Sequence, residues 1–255
     1  MSVAVEAQGL RFAFEDHLVL ENIHVDVKAG EISVILGSSG SGKSTLLRLL
    51  AGLMKTTQGH IQFSKARYQK AFVFQEPSLL PWLTIEQNIL LAHRFSKTSK
   101  PQDDSPNLTP REQCAEICEV VNLKGHEHKY PRELSGGMKM RASFGRALMA
   151  KPDLLFLDEP FSALDEITRW DLQDWLRGWQ KSHQISIFLV THSLSEAALL
   201  ADQIFLLGQQ GEPIKARFRF ETAVERDSDN YHHRLHDLKS QILPLLSQGR
   251  GRGEM

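Results

Sequence analysis

The chain has 255 residues, 41% of them hydrophobic, with 30 basic residues against 31 acidic ones and a formal net charge of -1. That length makes one large domain or two small ones, and the apolar share suffices for a real core. The balanced charge excludes a global basic field of the kind that holds nucleic acid, and no apolar run reaches the roughly 18 residues that a membrane-crossing helix needs. The opening MSVAVEAQGLRF has no basic segment followed by a long apolar stretch. No secretory signal is therefore expected, and the chain is expected to stay in the cytoplasm.

In chain order, short apolar strands alternate with helices. ISVIL at 32–36 reads as a buried strand, and residues 44–53 as a helix with Leu46, Leu47, Leu49, Leu50 and Leu53 on one apolar face. Residues 71–74, 154–157 and 185–190 read as strands short and apolar enough for a mainly parallel sheet. Residues 170–180 and 194–201 read as helices. The alternation predicts an α/β fold on a parallel sheet. Residues 77–133 break it and read as mostly helical, which predicts a helical subdomain over about 77–140 inserted in the α/β core. Within it, SKTSKPQDDSPNLTPRE at 96–112 is polar and proline-rich and reads as a mobile loop. Cys114 and Cys118, the only cysteines, share one face of a helix predicted over 112–121 and read as reduced, partly buried thiols. Beyond Gly211 the pattern weakens. Residues 211–255 are expected to form a short extension with one helix at 236–247 and a disordered GRGRGEM tail. The HEH at 126–128 and the group His232, His233 and His236 read as surface histidines rather than metal ligands.

Gly37-Ser38-Ser39-Gly40-Ser41-Gly42-Lys43-Ser44 fits GxxxxGK[ST] between a predicted strand and a predicted helix, the context this spacing requires. Glycines let the loop fold tightly so that backbone N–H groups converge on phosphate oxygens, and the helix start adds a favourable dipole. Lys43 can reach the β- and γ-phosphates, and the Ser44 hydroxyl can hold Mg²⁺. LLFLDEP supplies an acid at the end of an apolar strand. Asp158 is placed to hold Mg²⁺, through water or directly, and Glu159 to orient and deprotonate an attacking water.

LSGGMKMRASFGRAL, from Leu134, opens a helix. Ser135 reads as its N-cap, with Gly136 and Gly137 in the first turn. A capping box would put Glu or Gln where Met138 stands, so the first-turn N–H groups are left for an anion. One chain with two phosphate-binding helix starts needs only one for its own nucleotide. The second makes sense if it closes over the ATP of a partner subunit.

LSGGM, preceded by YPRE and followed by LLFLDEP, resembles the signature of ABC-transporter ATPases, and the resemblance extends to about Leu207. It implies a P-loop NTPase core with a small antiparallel β region near the N-terminus, and an ABC ATPase domain over about residues 1–210. It also implies residue roles. Phe14 would stack on adenine, Gly37 to Thr45 would form the Walker A loop, and Gln75 would sense Mg²⁺ and the γ-phosphate. Ser135, Gly136, Gly137 and Met138 would contact the partner's ATP. Asp158 and Glu159 would be the Walker B pair, Asp165 the D-loop acid, and His192 the switch histidine at the γ-phosphate. Two subunits would face each other head to tail, as a homodimer or as two related ATPase chains. They would sit peripherally on the cytoplasmic face of the cell membrane, driving a permease and, indirectly, serving a solute-binding protein. No nucleic acid is implied.

QEPSLLPWLT at 75–84 is similar to importer ATPases grouped around nitrate, sulfonate, taurine and bicarbonate, with some thiamine-precursor systems. Leu79, Leu80, Pro81 and Trp82 either expose an apolar surface to a permease or pack Trp82 inside the helical subdomain. Three residues depart from the family pattern: Met140 and Gly145 stand where glutamine and alanine are usual, and Ser193 where aspartate often follows the histidine. Two other readings compete with the importer. One is a permease-free ABC-type ATPase of translation or DNA repair. The other is a scaffold that binds ATP without turnover, against which the intact Glu159 and His192 argue.

Overall fold

The computed structural model describes residues 3–65, 68–95, 108–220, 224–226 and 228–247. They form two compact units, one of Met1–Arg67 with Leu176–Met255 and one of Tyr68–Trp175. Among the described residues no helix is long and apolar enough to cross a membrane.

The first unit opens with an antiparallel hairpin of β1 (Val3–Phe14) and β2 (His17–Lys28). It continues with β3 (Ile32–Leu36), and β4 (Gln58–Phe63) then pairs with the free side of β1. This is the small antiparallel region the family resemblance implies. Leu20, Ile23, Val25 and Val27 of β2 and Val5, Ala7, Leu10 and Phe12 of β1 are buried. Strands β3, β7 (Ser186–Thr191) and β8 (Gln203–Leu207) are buried at every position and run parallel in the order β7-β3-β8. Continuous burial is what a parallel strand covered on both faces requires. Helix α1 (Lys43–Ala51) packs against β7, α6 (Leu194–Leu200) against β3, and α7 (Asp229–Ser247) against α6.

Two sequence expectations change here. Helix α1 ends before Leu53, because Gly52 adopts φ 80° and closes the last turn. The Gly52 N–H donates to the Leu49 carbonyl at 3.0 Å and the Leu53 N–H to that of Arg48 at 2.9 Å, a Schellman-type ending. Leu53 falls beyond it and is 55% exposed, while Leu46, Leu47, Leu49 and Leu50 are buried. Past Gly211, where no strand is expected, β9 (Ile214–Arg219) adds an antiparallel edge to β8. Its signal was present: Ile214, Ala216 and Phe218 alternate with Lys215, Arg217 and Arg219 at the strand period.

The second unit holds the parallel pair β5 (Lys70–Val73) and β6 (Leu154–Asp158). Helices α2 (Ile85–Phe95), α3 (Pro110–Val120) and α4 (Gly136–Met149) pack on one another, and the first part of α5 (Glu166–His183) belongs to this unit as well. Helix α3 begins inside the stretch expected to be loop. Thr109 accepts the Glu112 N–H at 3.3 Å, and the Glu112 carboxylate accepts the Thr109 N–H at 2.6 Å. This capping box starts the helix, and its bonds hold the Glu112 carboxyl below its usual range. The rest of the expected mobile loop, 96–107, and the GRGRGEM tail lie outside the described residues.

Cys114 and Cys118 are buried free thiols. Their mutual hydrogen bond lowers the first and raises the second. His126 is half-buried rather than on the surface, whereas His232, His233 and His236 are exposed as expected. Met140 is buried at 1% exposure, which gives an apolar side chain a reason to stand there. Gly145 also has a packing role. A Cβ there would lie 3.1 Å from Ile89 Cδ1 and 3.2 Å from Ile117 Cγ2. Gly145→Ala gains about 0.8–1 kcal/mol of helix propensity and crowds two side-chain ends, so unfolding in urea is expected to show a net change within about 1 kcal/mol. Gly145→Leu cannot be accommodated by small shifts and is expected to cost about 1–3 kcal/mol.

Candidate functional site

In the first unit, the loop at 37–42 leaves the buried end of β3 and enters α1 directly. Ser38, Ser39 and Gly40 are exposed, Gly37, Ser41 and Lys43 are buried, and Ser44 and Thr45 are half-buried. Gly42 has φ 95°, and a Cβ there would lie 2.9 Å from Val19 Cγ1 and 3.0 Å from Leu20 Cδ2, so conformation and space both demand glycine. It stands at the N-cap of α1 with no side-chain cap, which leaves the helix start open to an anion. Lys43 Nζ donates to the Ser38 carbonyl at 2.7 Å, and the Ser41 N–H donates to the same oxygen at 3.3 Å. An ammonium and a backbone N–H thus converge inside the loop on one point, where phosphate oxygens would be stronger acceptors.

Strands β3 and β7 are neighbours with Leu36 opposite Thr191, so Gly37 and His192 leave adjacent strand ends. Ligands of open α/β sheets bind outside these carboxyl ends. His192 is exposed, and the backbone around it is held firmly. Thr191 Oγ1 donates to the buried Glu196 carboxylate at 2.6 Å and accepts the Ser193 N–H at 3.0 Å. Ser193 caps α6, its hydroxyl accepting the Glu196 N–H at 3.3 Å. A serine therefore performs the capping that aspartate could perform at this position. Phe14, at the tip of the β1–β2 hairpin, is 52% exposed and meets Phe12 edge-on at 4.8 Å. A planar ligand can stack on such a ring.

In the second unit, β5 and β6 pair through Val73 and Leu157, which brings Gln75 and Glu159 out of neighbouring strand ends. Gln75 Nε2 donates to Ser162 Oγ at 3.4 Å, and that hydroxyl donates to the Glu159 carbonyl at 2.9 Å. Asp158 ends β6 and is buried. Glu159 is half-buried at φ 44°, a left-handed conformation uncommon for a residue with a side chain.

Asp165 caps α5. Its carboxylate accepts the Thr168 N–H at 3.0 Å, which holds the acid below its usual range. A depressed folded value stabilises the fold above the unfolded carboxylate value of about 4 and loses that stabilisation as pH falls through the folded one. Asp165→Asn keeps a capping oxygen but not the charge. Thermal melts are expected to show the parent's advantage over this variant constant above about pH 5 and shrinking below about pH 4.

Ser135 caps α4, accepting the Met138 N–H at 3.3 Å. The N-cap expected at Ser135 is present, and it takes one first-turn N–H. Gly136 is exposed, and Gly137 is half-buried against Thr168, whose Cγ2 would lie 2.6 Å from a Cβ.

Two residues that sequence reasoning did not single out organise the segment after Gln75. Asn88, fully buried on α2, accepts the Leu80 N–H at 2.8 Å, and its two amide hydrogens are shared among the carbonyls of Leu80, Leu83 and Thr84, which lie 3.0–3.1 Å from Nδ2. Arg146 of α4 donates to the Ser78 carbonyl at 2.6 Å. The signal for Asn88 was an amide among the apolar residues of TIEQNILL. Between these anchors Trp82 is 68% exposed and Pro81 is exposed, while Leu79 and Leu80 are half-buried. Of the two alternatives for Trp82, exposure holds.

Comparison with known proteins adds to this geometry. A family model described as ABC transporter matches residues 20–162. The chain is 40% identical to the aliphatic sulfonates import ATP-binding protein SsuB 2 of Pseudomonas syringae pv. tomato over 238 residues, 93% of this chain and 96% of that one. It is 38% identical to SsuB of Bacillus subtilis over 214 residues, 81% of this chain and 80% of that one. It superposes on a dimeric ATP-binding cassette in a post-hydrolysis state, bound to ADP and Pi, with a TM-score of 0.73 and 25% identity, covering 86% of this chain and 99% of the other.

Proposed function

The chain belongs to the ABC transporter family as an ATP-binding subunit with ATPase activity, and from that premise we propose that it drives uptake of an aliphatic sulfonate or similar small organic anion through a membrane permease. The phosphate loop carries this reading, with buried Lys43 and the Ser41 N–H turned inward on one point. The solute class rests on the relatives named above. Their likeness over 93% and 81% of the chain favours an importer over a permease-free ATPase or a non-hydrolysing scaffold.

Each residue has a role in this reading. Lys43 and the backbone of Gly37 to Thr45 bind the ATP phosphates, and Phe14 stacks on the adenine. Ser44, Asp158 and the amide oxygen of Gln75 hold Mg²⁺. Hydroxyl, carboxylate and amide are the hard oxygen donors this ion takes. When bound, the ion neutralises charge on the phosphates. Glu159 orients and deprotonates the attacking water, and His192 donates a hydrogen bond toward the γ-phosphate. Ser135, Gly136, Gly137, Met138 and Asp165 face the ATP of a second copy in a head-to-tail dimer. The segment from Gln75 to Trp82 docks the permease at the cytoplasmic membrane face, and the solute-binding protein acts only through that permease. Transport requires ATP to bind the closed dimer far better than the open one.

The test is to recover the tagged Glu159→Gln chain, with ATP, from detergent-solubilised membranes of its own host. A multi-span membrane protein in stoichiometric amount is expected, and uptake of an alkanesulfonate by the reconstituted pair would follow. Soluble ribosomal or DNA-associated partners alone would overturn the importer reading. Trp82→Ala is expected to lower permease recovery about tenfold or more while ATP binding persists, because a projecting tryptophan is a frequent anchor of interfaces.

A further inference from the structure

We infer that Gln210 is a positioning residue of the phosphate loop and that His17 sets which way its amide faces. Gln210 lies in the turn between β8 and β9, and its Nε2 donates to the Gly40 carbonyl at 2.8 Å. Its Oε1 lies 2.7 Å from Nε2 of His17. An amide oxygen only accepts, so His17 presents Nε2–H at this contact. Turned over, the amide would set its oxygen against the Gly40 carbonyl and its NH₂ against the imidazole N–H. The turn is itself held in place. The Gly211 N–H donates to the Val19 carbonyl at 3.1 Å, and the Glu212 carboxylate accepts the Gln209 N–H at 2.8 Å.

Gly40 is where such a grip has an effect. A trans peptide unit carries its carbonyl and the following N–H on opposite sides. Holding the Gly40 carbonyl toward Gln210 therefore turns the Ser41 N–H toward the Ser38 carbonyl inside the loop, at 3.3 Å. Packing does not fix this plane: Gly40 sits at φ 78°, and a Cβ there would meet nothing within 4 Å. The inference rests on the nucleotide-binding reading, in which this N–H meets phosphate.

Calorimetry on the full chain carrying Glu159→Gln tests it, with ATP and inorganic tripolyphosphate as ligands. Gln210→Ala is expected to weaken both by the same factor, about three- to tenfold, the size of one net hydrogen bond. Gln210→Glu keeps the length but sets an anionic oxygen against the carbonyl, and is expected to weaken both further. His17→Ala should reproduce part of the loss, and His17→Gln, which restores a donor at similar reach, should recover it. The double alanine variant should bind no worse than Gln210→Ala alone.

The assignment is overturned if Gln210→Ala and Gln210→Glu bind both ligands as the parent does, or if the two alanine losses add in full. It is equally overturned if ATP alone weakens, which would place Gln210 on the base side of the site. Lys43→Ala separates the two readings. Unchanged ATP affinity in that variant would remove the nucleotide site itself, whatever Gln210 does.

Discussion

Glu159→Gln is expected to lower ATP turnover by about 10²–10⁴-fold, the usual contribution of a positioned base, and to leave ATP affinity close to that of the parent. The change is nearly isosteric. Glutamine can still orient a water through its amide oxygen but cannot take a proton from it. One structural tie of this position runs through the backbone: Ser162 Oγ donates to the carbonyl of Glu159, and that bond survives the substitution. The φ of 44° is no more costly for Gln than for Glu, so the strand end keeps its course. Phosphate release in the steady state and equilibrium ATP binding, measured side by side, separate the two effects. Parental turnover in the variant would show that another group accepts the proton.

Asn88→Leu is expected to carry the largest cost in stability of any single change considered. The side chain is fully buried, accepts one N–H and shares its two amide hydrogens among three carbonyls. Leucine has the same branching and the same number of side-chain heavy atoms, but it is bulkier and has no hydrogen-bonding atoms. The Leu80 N–H and the Leu80, Leu83 and Thr84 carbonyls all lose their side-chain partner, and of the carbonyls Leu80 and Thr84 keep a backbone N–H, so the cost is about 2–4 kcal/mol, read as a shift of the urea midpoint. Asn88→Asp keeps an acceptor for the Leu80 N–H but turns an oxygen toward three carbonyls, and is expected to be at least as damaging. If Asn88→Leu unfolds at the parent's urea concentration, this amide does not hold the segment.

Much of the architecture was legible because buried parallel strands write themselves plainly. ISVIL, LLFLD and SIFLVT are apolar almost throughout, and each precedes a glycine loop, an acid or a histidine. The phosphate loop was legible for the same reason: its glycines follow a strand and open a helix. What the sequence hid was of two kinds. Some signals were local but outvoted, as with Thr109 and Glu112, whose capping box lay within a stretch judged by its prolines and polarity. Others depended on contacts far apart in the chain. The bond from Arg146 to Ser78 spans 68 positions and that from Gln210 to Gly40 spans 170, distances over which periodicity says nothing. Pattern reasoning finds groups that face a ligand more readily than groups that hold those groups still.

Gly137 carries two messages in one letter. Inside LSGGM it reads as a mark of close ligand approach, since a side chain would stand between the helix start and an anion. Yet the neighbouring Thr168 methyl would lie 2.6 Å from any Cβ at that position, so a Cβ there requires the Thr168 side chain to move. Packing would favour the glycine even if nothing ever bound there. Which of the two demands keeps it can be asked only by freeing the second, through a smaller residue at 168, so these two positions can be understood, or redesigned, only as a pair.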